Sequence, residues 1–293
     1  MVIIFVIGAI CYLKGLITKN GTKQLSAVEL NLVNPVLIFM SYQKDYDSKM
    51  VHNLLWAFLL SAISFVVAIA LSYLLVSKKR KSFSVERFSI VYSNCGFIGI
   101  PLINGLFGAE GVLYLTAYIT LFNFLVWTHG LMTMKEQIDF SSSIKALKSP
   151  AVIAIFLGLI CYFARLHLPS VPSQALQYIS DMNTPLAMII AGATAAQSNI
   201  LKVFSKPRNY VLCLYKLMLI PLAAFLVTRL FGVPSMVCTC VTIASACPVA
   251  TTGLMFTLML DKDAEKCSEL FSMSTLLSAL TLPVITVIAT IFS

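Results

Sequence analysis

Two stretches decide the fold: Ser93-Asn94-Cys95-Gly96-Phe97-Ile98-Gly99-Ile100-Pro101-Leu102 and Ala244-Ser245-Ala246-Cys247-Pro248-Val249-Ala250-Thr251-Thr252-Gly253. Each lies inside a long apolar run and carries a proline where a helix would otherwise continue. Proline has no amide hydrogen, and its ring clashes with the carbonyl four residues back. Pro101 therefore frees the carbonyl of Phe97, and Pro248 frees that of Ala244. Gly96 and Gly99 weaken the helix further and permit close backbone approach. Both breaks are expected near the middle of an apolar segment. Open backbone at that depth is tolerated only when buried in protein or lining a watered cavity. Each break makes new helix ends. Free amides at an N-terminal end suit an anion, and carbonyls at a C-terminal end suit a cation. Asn94, Ser245, Thr251 and Thr252 stand beside the breaks with hydrogen-bonding side chains. A plain proline kink explains either break alone. Two breaks with polar neighbours point to a site.

The surrounding composition says what kind of chain carries them. Of 293 residues, 59% are apolar and 11% charged, and the mean hydropathy is +0.90. Soluble domains carry roughly 25% charged residues. So apolar a chain lacks the polar surface to cover a soluble core. A soluble enzyme, a coiled coil and a disordered protein are excluded. The eight cysteines form no CxxC pair, and there are only three histidines. No metal centre or other cofactor is expected. The first apolar stretch lacks a basic leader and a small-residue cleavage site, and reads as a first span.

A helix needs about 20 mostly apolar residues to cross a bilayer. Ten segments qualify, at about 1–16, 24–42, 51–77, 85–107, 110–134, 149–167, 175–197, 208–230, 233–260 and 266–292. With the N-terminus outside, the 21 Lys and Arg residues divide very unevenly. Lys44, Lys49, Arg165 and Arg229 lie outside, Lys216 lies within a span, and all the others lie inside. The positive-inside rule then places both termini outside. The net charge of +9 records orientation, and no nucleic-acid partner is implied.

The chain also repeats itself. Gly8-Ala9-Ile10-Cys11-Tyr12 returns as Gly158-Leu159-Ile160-Cys161-Tyr162. Asn34-Pro35 matches Thr184-Pro185, Pro101 matches Pro248, and Ile119-Thr120-Leu121 resembles Ser274-Thr275-Leu276. The four matches keep their order at a nearly constant offset. Residues 1–134 therefore form a first five-helix unit and 149–293 a second, with 135–148 a cytoplasmic linker. Five is odd, so the second unit is inverted. Inverted repeats mark secondary transporters, whose sites lie near the midplane where the halves meet. The fold expected is an all-α integral membrane protein of ten spans, with spans 4 and 9 broken.

Asn94–Leu102 followed by Phe107-Gly108 resembles span 4 of the auxin efflux carrier family. Ala246–Thr252 followed by Leu280-Thr281-Leu282-Pro283 resembles its spans 9 and 10, and Asn34-Pro35 its span 2. The resemblance covers essentially the whole chain. It implies an elevator-type carrier of the bile-acid symporter and sodium/proton antiporter kind, with spans 4 and 9 crossing at their prolines. Spans 3–5 and 8–10 would form a transport domain. Spans 1, 2, 6 and 7 would form a scaffold, often dimeric. Family substrates are small organic anions: indole-acetate in plants, dicarboxylates such as malate or malonate in bacteria. The long cytosolic loop of many plant exporters is missing here. Family members often carry an asparagine shortly after the span 9 proline, where this chain has Thr252, which offers one hydroxyl in place of an amide.

Charges inside the membrane are functional candidates by default. Lys216 could attract a carboxylate, serve as a permanent counter-ion, or extend its stem to the interface. Glu29 lies at similar depth and is a candidate partner for it. Glu269 and Asp181 read either as coupling-ion ligands or as loop-end residues. The candidate substrate-binding residues are Asn94, Gly96, Gly99, Pro101, Ser245, Pro248, Thr251, Thr252, Asn34 and Lys216. No Gly-x-Ser-x-Gly, His-Glu-x-x-His or paired-aspartate signature supports an intramembrane enzyme. The function expected is secondary transport of a small organic anion across the plasma membrane, with a proton or sodium ion as the candidate coupling ion and uniport left open. A ligand-sensing receptor on a transporter fold is the alternative.

Overall fold

Apolar segments of this kind fold as helices because every backbone hydrogen bond is then met within the segment. The computed structural model describes residues 2–43, 45–136, 150–197 and 203–292, and these are helical almost throughout. Beyond Glu136 the expected linker lies outside the described residues, as do Lys44, Lys145, Lys148 and Lys202. The helices are α1 (Val2–Leu13), α2 (Lys19–Ser41), α3 (Ser48–Leu75), α4 (Phe83–Val91), α5 (Cys95–Lys135), α6 (Pro150–Phe163), α7 (Ser170–Asp181), α8 (Asn183–Ala196), α9 (Pro207–Arg229), α10 (Ser235–Ala246), α11 (Thr252–Met259) and α12 (Ala264–Phe292). Five of them, α2, α3, α5, α9 and α12, are long and apolar enough to cross a membrane. Large side chains such as Ile3, Leu74 and Leu280 are mostly exposed. Water would penalise such a surface, whereas lipid accepts it.

At about 1.5 Å per residue, the 41 residues of α5 would measure about 60 Å, twice a bilayer's hydrocarbon core. Gly108 divides them. Its backbone (φ 61°, ψ −159°) lies in a region open essentially only to glycine. The chain turns there, between the expected spans 85–107 and 110–134.

Three prolines share one local solution. Pro35, Pro101 and Pro221 each follow by two residues a wide π turn, at Glu29–Val33, Cys95–Gly99 and Tyr215–Leu219. The wider turn re-registers the hydrogen bonds that a proline would leave unmade, so the helix continues. Pro101 therefore does not itself open the backbone. The interruption in this part of the chain lies earlier, at Tyr92–Asn94, between α4 and α5. Pro248, by contrast, lies inside the interruption between α10 and α11.

Packing between helices is reciprocal. The α1 helix lies on α8, and α6 lies on the Asn34–Ser41 part of α2. Both contacts depend on glycine. A Cβ at Gly8 would fall on the backbone of Ile189, one at Gly192 on the backbone of Phe5, and one at Gly158 on the Tyr42 ring. Small residues let helix axes approach where water supplies no hydrophobic drive.

Candidate functional site

The two interruptions are bound to each other. Ser93 and Val249 form an isolated antiparallel bridge. The Asn94 amide donates to the Pro248 carbonyl at 2.7 Å, and the Ala250 amide donates to the Tyr92 carbonyl at 3.0 Å. The Ser93 hydroxyl donates to the Ser245 carbonyl at 2.9 Å, and the Val249 amide donates to the Ser274 hydroxyl at 3.1 Å. Backbone that leaves a helix thus finds its partners in the other break, as buried backbone must. The contact is close at the side chains as well, since a Cβ on Gly99 would meet the Cys247 sulfur at 3.3 Å.

Lys216 reaches into this junction from α9. It is only 1% exposed. Its ammonium donates to Ser93 Oγ at 2.6 Å and to the Ser245 carbonyl at 3.2 Å, and lies 3.5 Å from the Val91 carbonyl. Val91 and Ser245 are at the C-terminal ends of α4 and α10. Helix C-termini carry partial negative charge, and a cation held between two of them is favoured. Lys216 is thus turned inward and spent on the protein, and its stem does not run to an interface. The expected pairing with Glu29 does not form.

The N-terminal ends are treated differently. Asn94 precedes the Cys95–Gly99 turn and Thr251 precedes α11, and neither side chain caps the turn that follows it. The Thr252 hydroxyl is buried without a hydrogen-bond partner. Asn94, Gly99, Ser245 and Pro248 are brought together with Lys216. Pro101 lies inside α5, two residues beyond Gly99.

Asn34 belongs to a second polar cluster. Its side chain lies beside Gly96, where a Cβ would stand 3.6 Å from Asn34 Nδ2. Asn183 Nδ2 donates to Asn34 Oδ1 and, at 2.7 Å, to Glu29 Oε1. All three side chains are buried. Asn183 is absent from the candidates read off the sequence, although it stands 149 residues after Asn34, close to the repeat offset. Ser93 is missed too. Its role depends on a carbonyl 152 residues away.

A third cluster gathers charge away from the junction. Arg208 donates to Glu86 at 2.8 Å, and Lys206 donates to Glu269 at 2.5 Å. Asn209 donates to Glu269 and accepts from Lys266. Glu86 and Glu269 are buried, and Glu269 is held by Lys206 and Asn209 at the start of α9. Asp181 is exposed at the end of α7, held by Gln177 at 2.7 Å. The Glu269 carboxylate holds the Lys206 ammonium above the usual lysine range.

Paired helix interruptions meeting at a buried cation, in a chain with several membrane-length helices, resemble a transport protein. A family model described as "Membrane transport protein" matches residues 1–286. The chain belongs to this family, the auxin efflux carriers. Two curated relatives agree. An "Uncharacterized transporter" of Methanothermobacter thermautotrophicus is 25% identical over 98% of this chain and 96% of its own length. "Uncharacterized transporter MJ1031" of Methanocaldococcus jannaschii is 21% identical over 96% of this chain and 94% of its own length. Membership of the auxin efflux carrier family identifies this as a multi-pass integral membrane transporter.

Proposed function

We propose that this chain is a secondary transporter that moves a small organic anion, such as a carboxylate, by alternating access of the elevator type. One observation carries the reading: the four helix ends at the paired interruptions are treated unequally. The C-terminal ends of α4 and α10 are tied to Lys216. The N-terminal ends, starting at Cys95 and Thr252, follow Asn94 and Thr251, whose side chains are uncommitted to capping. Such ends keep free amides and partial positive charge for an anion. Lys216 then acts as a fixed counter-charge that permits two negative helix poles to face each other. The substrate would be held by Asn94, Thr251 and Thr252 with the backbone of both breaks.

In this reading ten spans form two inverted units, 1–134 and 149–293. The first comprises α1, α2, α3, then α4 with α5 as far as Gly108, then the rest of α5. The second comprises α6, then α7 with α8, then α9, then α10 with α11, then α12. The reciprocal packing of α1 on α8 and α6 on α2 supports this pairing. So does the bond between Asn34 and Asn183, which stand at near-equivalent repeat positions. The basic asymmetry favours both termini outside, in the plasma membrane. Spans 1, 2, 6 and 7 serve as scaffold and dimer surface.

The test is counterflow. Full-length protein in proteoliposomes is loaded with members of a panel of mono- and dicarboxylates, and uptake of the labelled solute is followed. Saturable counterflow separates a carrier from a sensor or channel. Asn94→Ala should abolish uptake and leave folding intact. Unchanged kinetics in that variant would refute the site. Failure to move any organic anion would refute the substrate class.

A further inference from the structure

Glu29 stands unaccounted for by the junction. It is fully buried in the Glu29–Val33 turn of α2. Asn183 satisfies its Oε1, but Oε2 has no hydrogen-bond partner, and neither has Asn183 Oδ1. Two buried oxygens are therefore left without a donor in one cluster. Among the described residues no lysine or arginine forms an ion pair with Glu29. Of the elements packed on its turn, α8 carries no ionisable side chain, and α6 carries Cys161 and Tyr162. The Tyr162 hydroxyl is engaged with Asp47. On its own helix, Lys19 and Lys23 are exposed. An ionised carboxylate buried this way needs a counter-charge, and an unpaired amide oxygen needs a donor or a cation.

The cluster meets open space at Asn183. A cavity of about 160 Å³ lies between α2, α5, α7 and α8, with room for several waters. Asp181, Gln177, Ser180, Ser41 and Asn104 line it, with Asn183 beside them. Asp181 is exposed, whereas Ser180 and Asn183 are buried. The Ser180 hydroxyl is a third buried polar atom without a partner. No basic residue lines this cavity. Its one charged side chain is the Asp181 carboxylate, among Ser, Asn and Gln side chains, which suits a cation and not the anion proposed for the junction.

We propose that Glu29, Asn183 and Asn34 bind one small monovalent cation, a sodium ion or a proton, delivered past Asp181. Its charge answers Glu29 Oε2, and the amide oxygens complete the site. Asn34 sits against Gly96, so occupancy is felt where the Cys95–Gly99 turn begins. Binding stands independently of any transported solute, and its role in coupling rests on the carrier reading above.

The test follows the unfolding midpoint of purified full-length protein in two series. One replaces choline chloride by sodium chloride at constant ionic strength and pH. The other lowers pH without sodium. The wild type should be stabilised in at least one, with sodium alone active for a sodium site and pH alone for a proton site. Glu29→Gln, near-isosteric and neutral, should lose most of that response, and the difference between the two proteins removes other titrating groups. Asp181→Asn, at the exposed mouth, should fold and shift the half-maximal cation concentration several-fold. A wild type indifferent to both cations overturns the proposal. So does a Glu29→Gln protein that responds as the wild type does. If Glu29→Gln fails to fold, an unshifted Asp181→Asn response overturns it instead. A failed counterflow assay would leave this result standing, and a failed cation response would leave the carrier reading standing.

Discussion

Replacing Lys216 with methionine keeps most of the side-chain volume and removes the ammonium from the junction. Its bond to Ser93 Oγ is short at 2.6 Å, that to Ser245 is ordinary at 3.2 Å, and the Val91 contact is at the outer limit at 3.5 Å. Hydrogen bonds to a charged group contribute about 1.5–3 kcal/mol each, and a cation at a partly buried helix C-terminus up to about 2 kcal/mol. Against these stands the desolvation of a buried ammonium, several kcal/mol in real proteins, which methionine does not incur. Ser93 keeps its own bond to Ser245 in the variant. The gains and the desolvation largely offset, so the net loss should be about 1–3 kcal/mol rather than their sum. The larger effect is on geometry. With the cation gone, the C-terminal poles of α4 and α10 face each other uncompensated, and the junction should open. Cys247 is fully buried there, so its labelling by a maleimide, read by peptide mass spectrometry, should rise well above that of the wild type. A lysine that served only to attract substrate would behave otherwise: solute affinity would fall while stability and Cys247 labelling stayed put. That outcome would refute the reasoning.

Gly108→Ala should destabilise the protein by about 1–3 kcal/mol in detergent unfolding; space around the new Cβ is open, so the loss is conformational. Gly192→Ala has no such room, because its Cβ would fall on the backbone of Phe5 and Ala9, and the yield of folded protein should drop. Gly105→Ala, with nothing near its Cβ, is the matched control and should leave stability unchanged or raise it by up to about 1 kcal/mol. The hydrogen bond from Lys262 holds the Glu136 carboxyl below its usual 4.5. A depressed folded value means stabilisation present above pH 4.5 and lost as pH falls through that lower value. Both side chains are partly exposed, so the contribution stays below about 1 kcal/mol, and Lys262→Met should slightly flatten the acid limb of the stability profile.

Much of the helical layout is legible in the sequence, because apolar runs of sufficient length leave the backbone one way to pair. The expected 51–77 and 266–292 correspond to Ser48–Leu75 and Ala264–Phe292. The turn between 107 and 110 falls at Gly108. The breaks are legible only in part. Pro101 marks the right stretch, but a proline removes one donor locally, and a wide turn answers that locally. The interruption at Tyr92–Asn94 exists because Pro248 and Ala250 supply its partners, and that pairing spans some 150 residues. The same holds for Lys216 and Asn183. A lysine within an apolar run is visible, but which way it turns depends on carbonyls supplied by two other helices.

Those long-range contacts bear on how the junction can work. Most of the bonds that join the two breaks, with the Lys216 contacts, run among α4, the start of α5, α9, α10 and the interruption that follows it. The α12 helix joins them through Ser274 and, at the charged cluster, through Glu269. By contrast, α2 and α8 meet the start of α5 through apolar packing, with Ala187, Met188 and Ile190 on Phe97, and through the approach of Asn34 to Gly96. Backbone ladders and a buried ion cannot slide without leaving unpaired groups. A glycine facing an amide side chain can, since ordinary van der Waals contact has no fixed partner. If the molecule moves in two parts, the plane of movement therefore passes between Asn34 and Gly96, with both interruptions carried together on one side and Glu29 left on the other.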